Sequence, residues 1–377
     1  MQDISLFLVY GMGKRFVNAT GEVEKIRLAT ESKRVFAEMM EIRYVKDKSS
    51  YLNWEKQKKK EKKMKAGEVM TILDNALRIG KGVTRYGKVA TYIPELAKKD
   101  KNKLGICLYT IDGDRFEVGN TEDRFTIQSI AKVMALCLAL ETFGAGFVFD
   151  HVGVEPSGEA FNSLVELDNR SNRPFNPMIN SGAITVASML EGRYSIEEMQ
   201  KYMQDVCEDP EIAIDEAVFE SEMATCARNK AIAYLLKSKQ IIDNDVEESV
   251  TFYTQMCAMS VTARNLATFG LLLANDGIQL STGKRLISSQ TVRMVQTIML
   301  TCGMYDGSGE FALKTGIPTK SGVGGGLLSV AQKKMGIGIY GPSLDEKGNC
   351  IAGCELLGYI SEAFHLHIFD QTEWKVE

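Results

Sequence analysis

Ser129 and Lys132, in FTIQSIAK (125–132), stand three residues apart at the head of an apolar run. Residues i and i+3 share a helix face, so the amine can reach the hydroxyl. A positive helix end and burial both disfavour a protonated lysine and move its pKa toward that of a useful base. A serine activated in this way attacks a carbonyl, and its own backbone N–H can face the developing oxyanion. The bland alternative is a serine that caps a helix. Spacing alone does not decide, because a second S-x-x-K, Ser281–Lys284 in QLSTGKRLIS, reads as a polar surface loop. Only His151, His365 and His367 could serve a Ser-His-Asp triad, and the last two fall near the C-terminus on an expected core helix, so lysine is the better base.

Three further stretches could complete an acyl-transfer site. In LKTGIPTKSGVGGGLLSV (313–330), Lys320–Ser321–Gly322 precedes a glycine-rich turn into a strand. Glycines let backbone approach a ligand, and the Val323 N–H could oppose that of Ser129; otherwise this is a glycine-rich hairpin edge. It is not a P-loop, since GxxxxGK[ST] is missing. In FNPMINSGAI (175–184), Asn180 either caps a helix or hydrogen-bonds a substrate. In FESEMATCARNKAIAYLLK, Glu222 and Asn229 lie seven apart, two helical turns on one face. A carboxylate and an amide suit the two ends of an amino acid, although a plain surface face would show the same pair.

The elements that position these groups follow from periodicity. EVMTILDNALRIGKGV has helical apolar spacing and a glycine near its stop. LGICLYTIDGDRFEVG (104–119) reads as a hairpin turning at Asp112–Gly113. Residues 132–145 and much of 183–300 read as helices, including one through FYTQMCAMSVTARNLATFGLLLAND. GGGLLSVAQKKMGIGIYGP (324–342) returns to strands, and CIAGCELLGYISEAFHLHIF is a final amphipathic helix. The expected class is α/β of the α+β type: an antiparallel sheet flanked by helices, plus a mostly helical lobe. Clefts between such layers favour sites.

The chain of 377 residues is 45% hydrophobic and 25% charged, with a net charge of −4. That balance gives no drive toward nucleic acid or an anionic membrane. No apolar run reaches the roughly 20 residues of a membrane span, and no signal peptide is read at the start. Eight scattered cysteines contain no CxxC. Cys350 and Cys354 precede His365 and His367, but finger spacing is absent, so reduced thiols in a cytosolic protein are the reading. Residues 1–65 end in EKQKKKEKKMK and form an expected N-terminal extension, solvated helix or disordered linker, before a catalytic domain over 66–377.

Taken together, GKVATYIPELAK, FTIQSIAK, EPSGEAFNSL, NPMINSGAI, ESEMATCARNKAIAYLL, TQMCAMSVTARNLA, CGMYDGSGEFA and KSGVGGGLLSV occur in the order found in serine-dependent glutaminases. The chain from about Gly67 to Phe369 resembles that family and its β-lactamase-like, penicillin-recognising fold. The resemblance implies that Ser129 is the nucleophile and Lys132 its general base. It implies that Tyr305 and Tyr253 flank the reaction centre and move protons, and that Val323 adds an oxyanion N–H. Tyr92, Asn180, Glu222 and Asn229 would hold the backbone groups of glutamine, with Gln128 beside the nucleophile. No metal or organic cofactor is implied. The resemblance further implies a homodimer or homotetramer and a compact microbial-type enzyme of the cytoplasm. Residues 1–65 have no counterpart in that pattern: they are an extension, or Met64 or Met70 lies nearer the true start. Two rivals remain at this point: a β-lactam or peptidoglycan acyl-transferase on the same fold, and a catalytically silent glutamine-responsive module.

Overall fold

The computed structural model describes residues 62–158, 162–163, 173–370 and 374–376. The expected lysine-rich extension lies, up to Glu61, outside the described residues. Strand β1 (Lys62–Met64) leads into helix α1 (Ala66–Val83), followed by β2 (Gly105–Thr110) and β3 (Arg115–Gly119). The short β4 (Phe125–Thr126) feeds a 3-10 turn, Gln128–Ile130, and then α2 (Ala131–His151). Next come α3 (Asn180–Glu191), α4 (Ile196–Cys207), α5 (Glu216–Thr225), α6 (Ala227–Ser238) and α7 (Val246–Cys257). After β5 (Ser260–Val261) the chain forms α8 (Ala263–Ala274), α9 (Ser289–Cys302) and α10 (Ser308–Thr315). It closes with β6 (Thr319–Gly322), β7 (Gly326–Ala331), β8 (Met335–Tyr340), α11 (Ile351–Phe364) and β9 (Trp374–Val376).

The main sheet has the order β3-β2-β8-β7-β6, every pair antiparallel. The 104–119 hairpin forms as expected, with Tyr109 opposite Arg115 and Gly113 at φ 95° in the turn. Strand β8, MGIGIY, alternates as a sheet with two covered faces demands. Met335, Ile337 and Ile339 enter one core with residues of α1 and α11, such as Leu73, Leu356 and Phe364. Gly336 and Gly338 point the other way, under α8. A Cβ at Gly338 would lie 1.9 Å from the Ala263 carbonyl oxygen, so the helix rests almost on the strand's backbone. This departs from the expected helical block. The run FYTQMCAMSVTARNLATFGLLLAND is broken at β5, and α8 leaves the lobe to cover the sheet. Thr262 caps it, accepting from Asn265 N, so a new helix starts where continuous periodicity suggested one helix.

The helical lobe packs around α2. Residues 131–140 of that helix are buried, Leu138 alone being half-buried. Gln128–His151 spans 24 residues and is long and apolar enough to cross a membrane by length and composition, a segment that counting apolar runs overlooked. Its first half forms the lobe's core with Ile184 and Ala187 of α3 and Val292 and Val295 of α9. Apolarity on all sides is what a fully wrapped core helix requires. The final helix ends at Phe364, so His365 is its left-handed C-cap and His367 lies beyond it, not on a core helix as expected.

Candidate active site

Thr126 pairs with Ser260, and Ile127 N donates to Met259 O at 2.8 Å. These contacts pin the stretch before Ser129 to the end of α7. On the other side lies the β6–β7 turn. A Cβ on Gly324 would be 2.3 Å from Thr126 O, and one on Gly322 would be 2.7 Å from Ile127 O. Only glycine permits that approach, and it lays the turn that carries Val323 against residues 126–130. Gln128 takes φ 50° there, a left-handed conformation that costs a non-glycine residue about 1–3 kcal/mol and is concentrated at functional sites. Ser129 follows inside a 3-10 turn, and the N-cap of α2 is Ile130, with no side-chain cap bond. The helix-capping alternative for Ser129 is therefore not what the structure shows.

Ser129 hydrogen-bonds instead to the phenol of Tyr305. Tyr305 also sits at a left-handed φ of 55°, and its hydroxyl donates to Ser321 O at 3.2 Å. Burial first pushes its pKa up, while the bond to Ser129 pulls the other way. Lys132 is 2% exposed and donates to Met178 O at 3.0 Å and Asn180 Oδ1 at 2.8 Å. Burial is the main cause that lowers its pKa to about 7, against the opposing pull of Cys257 and Glu222. A neutral amine has two N–H groups and one lone pair. Both N–H groups are engaged, so the lone pair is what a neutral Lys132 has left to offer.

Asn180 is helical, not a cap: Asn176 Oδ1 accepts from Met178 N and Ile179 N in that turn. Its amide is oriented by its neighbours. Because Lys132 only donates to it, Asn180 presents Oδ1 there and donates Nδ2 to Asn229 Oδ1 at 2.8 Å. Glu222 and Asn229 do not share one helix face. The chain breaks at Cys226, φ −79° and ψ 10°, so Glu222 comes from α5 and Asn229 from α6. The break still delivers both to one cavity. Glu222 is 8% exposed, accepts from Gln128 Nε2 at 3.1 Å, and has its pKa raised to about 7, chiefly by burial.

That cavity holds about 550 Å³ of empty space including its open mouth. Tyr92, Gln128, Ser129, Asn180, Glu222, Asn229 and Tyr253 line it. Lys132, Tyr305 and Val323 are buried and are not among the residues that line it. Tyr92 exposes half its surface, yet its phenol has its pKa raised by burial and by Tyr305 and Glu222. Tyr253 is buried and bonded to Cys257, one turn on.

Three residues were given no site role from sequence, Lys320 having been noted only for the glycine-rich turn that follows it. Cys257 and Arg228 line the cavity, and Lys320 is 0% exposed with Nζ 4.3 Å from the centre of the Tyr305 ring. Lys320 donates to Gly303 O at 3.1 Å and Ser321 O at 2.6 Å. Burial and then the charge of Lys132 hold its pKa well below the usual lysine range. No local signal marked it: Lys320 lies in β6, beside the glycine-rich turn. By contrast Ser281–Lys284 lies in an exposed turn, as expected.

A glutaminase family model matches residues 87–369. The chain belongs to the glutaminase family. A glutaminase of Alkaliphilus oremlandii is 45% identical over 301 residues, covering 79% of this chain and 99% of that one. The structure of a probable glutaminase from Bacillus subtilis complexed with 6-diazo-5-oxo-L-norleucine aligns with a TM-score of 0.73 and 36% identity, over 82% and 99% of the two chains. A covalent complex between a Bacillus subtilis glutaminase and 5-oxo-L-norleucine aligns at 0.72 and 36%, over 80% and 99%. The antiparallel sheet with helices on both faces and a helical lobe is the β-lactamase-like arrangement expected of the family.

Proposed function

We propose that this glutaminase hydrolyses L-glutamine to L-glutamate and ammonia through a glutamyl ester on Ser129, with Lys132 as general base. The observation that carries the assignment is the Lys132 amine, 2% exposed and held by Met178 O and Asn180 Oδ1, three residues after a serine that lines the cavity; burial lowers its pKa to about 7. The Lys132 lone pair takes the Ser129 proton as Oγ attacks the side-chain amide carbon. The backbone N–H groups of Ser129 and Val323 receive the oxyanion. Reprotonation of the departing nitrogen comes from the lysinium or through Tyr305, which touches Ser129. The C–N bond breaks and ammonia leaves. Water then loses a proton to Lys132 and cleaves the ester, restoring Ser129. Tyr253, backed by Cys257, supports these proton movements.

Binding follows from the same cavity. Glu222 meets the α-ammonium, and Tyr92, Asn180 and Asn229 supply neutral donors. Gln128, which donates to Glu222, keeps Oε1 as an acceptor beside the nucleophile. No step calls for a metal or organic cofactor. The eight cysteines are free, which suits the reducing cytoplasm as the site of action. A homodimer or homotetramer is the assembly the family resemblance favours. The test is to react the protein with 6-diazo-5-oxo-L-norleucine and locate the adduct by peptide mass spectrometry. A label on Ser129 is expected; stoichiometric labelling elsewhere with Ser129 unmodified refutes the assignment.

A further inference from the structure

Among the described residues, the cavity lining contains one carboxylate, Glu222, and one permanently charged cation, Arg228. Arg228 sits in the first turn of α6, beside Asn229, just past the Cys226 break. Its Nε donates to Asn162 O at 2.9 Å. Arg228 is exposed, and that bond ties it to Asn162 in the cavity lining; among the described residues the two terminal amino groups of its guanidinium have no hydrogen-bond partner. Among the described residues they meet no carboxylate. Lys132 and Gln128, not Arg228, oppose the raised pKa of Glu222, so the two charges are not paired with each other.

An amino acid with a free α-ammonium and a free α-carboxylate matches this separated pair. We propose that Arg228 reads the α-carboxylate of glutamine and makes the enzyme select the free amino acid over glutamine whose carboxyl is amidated or in a peptide bond. This rests on the glutamine reading of the site. Arg228 is a specificity determinant, added to the neutral donors of Asn180, Asn229 and Tyr92. It lies away from Ser129 and takes no part in bond cleavage.

The test compares L-glutamine with its α-N-methylamide, which keeps the side chain and α-ammonium but loses the carboxylate charge. Ammonia release is measured for wild type, Arg228→Gln and Arg228→Lys. Binding of both compounds is measured by calorimetry in the Ser129→Ala background, with and without Arg228→Gln. A charge-assisted contact predicts that Arg228→Gln raises KM for glutamine about 10- to 100-fold with kcat nearly unchanged. The α-N-methylamide is expected to respond less than twofold, so discrimination between the two collapses, and Arg228→Lys retains part of it. An equal loss on both compounds would mean that Arg228 merely holds Asn162, and no loss on either would mean that it faces solvent; each overturns the proposal. The calorimetric ratio decides the role of Arg228 even if Ser129→Ala retains turnover, a result that would instead overturn the nucleophile assignment.

Discussion

The sharpest consequence of the site is its response to acid. Lys132 acts as a base only when neutral. With a pKa of about 7 it is half neutral at pH 7. At the ordinary lysine value near 10.4, roughly 4 in 10,000 molecules would be ready, so burial raises the competent fraction about a thousandfold. In the proposed binding mode Glu222 is ionised to meet the α-ammonium, and its pKa in the empty site is also raised to about 7. Two protons must therefore leave the free enzyme, and kcat/KM is expected to fall about a hundredfold per pH unit well below pH 7. In the enzyme–substrate complex the bound ammonium keeps Glu222 ionised. Only Lys132 then titrates, and kcat should fall about tenfold per unit. Lys132→Ala should lower kcat by about 10³–10⁴ and abolish that acid limb, with partial rescue by small primary amines added to the assay. Glutamate production followed from pH 5.5 to 9.5 is the assay. An acid limb of kcat that stays near pH 7 in Lys132→Ala would refute the role of Lys132.

Ser129→Ala should lose at least about 10⁴ in kcat while binding L-glutamate with nearly wild-type affinity; turnover within tenfold of wild type would sink the nucleophile assignment. Glu222→Gln should raise KM for glutamine at least tenfold, and it should also stabilise the empty protein at alkaline pH. The sign follows from the raised pKa: between pH 4.5 and 7 the native state binds more protons than the unfolded chain, so stability falls with rising pH. The variant escapes that loss, with a gain of at most about 3 kcal/mol at pH 8 and none at pH 4, read by urea unfolding; an equal gain at both pH values would contradict the cause. Gly338→Ala should destabilise by at least about 3 kcal/mol, because its methyl would meet the Ala263 carbonyl at 1.9 Å; an unchanged melting temperature would show that α8 yields freely.

Much of the layer structure was legible because it rests on period. The β2–β3 hairpin needed only an Asp-Gly pair between strand-like runs, and MGIGIY needed only alternation. What failed were the continuities. A helix through Cys226 and another through Ser260 looked unbroken, because a break of one or two residues leaves apolar spacing almost intact. The site residues were legible as residue types in a resembling order. Their partners were not. That Asn180 bridges Lys132 and Asn229, 48 and 49 residues away, or that Lys320 sits over the Tyr305 ring, depends on separate elements meeting in three dimensions. Nothing local in KSGVGGG says that its lysine is fully buried rather than solvated.

The empty site is electrostatically incomplete, and its substrate supplies what is missing. Glu222 is a buried carboxylate that leans only on an amide from Gln128 and on a lysine that burial tends to neutralise. A charge placed so is costly unless a cation arrives. In the proposed binding mode the α-ammonium of glutamine is that cation. It lowers the Glu222 pKa, and because Glu222 is then satisfied by the ligand, its pull on the Lys132 proton weakens. Binding thus moves both groups toward the forms that catalysis needs: carboxylate ionised, amine neutral. The same coupling requires proton release on binding near pH 7. Titrating L-glutamate into Ser129→Ala in buffers of different ionisation enthalpy should reveal that release, and Glu222→Gln should remove it. Proton uptake in place of release would show that the ligand's carboxylate, not its ammonium, dominates the field at Lys132.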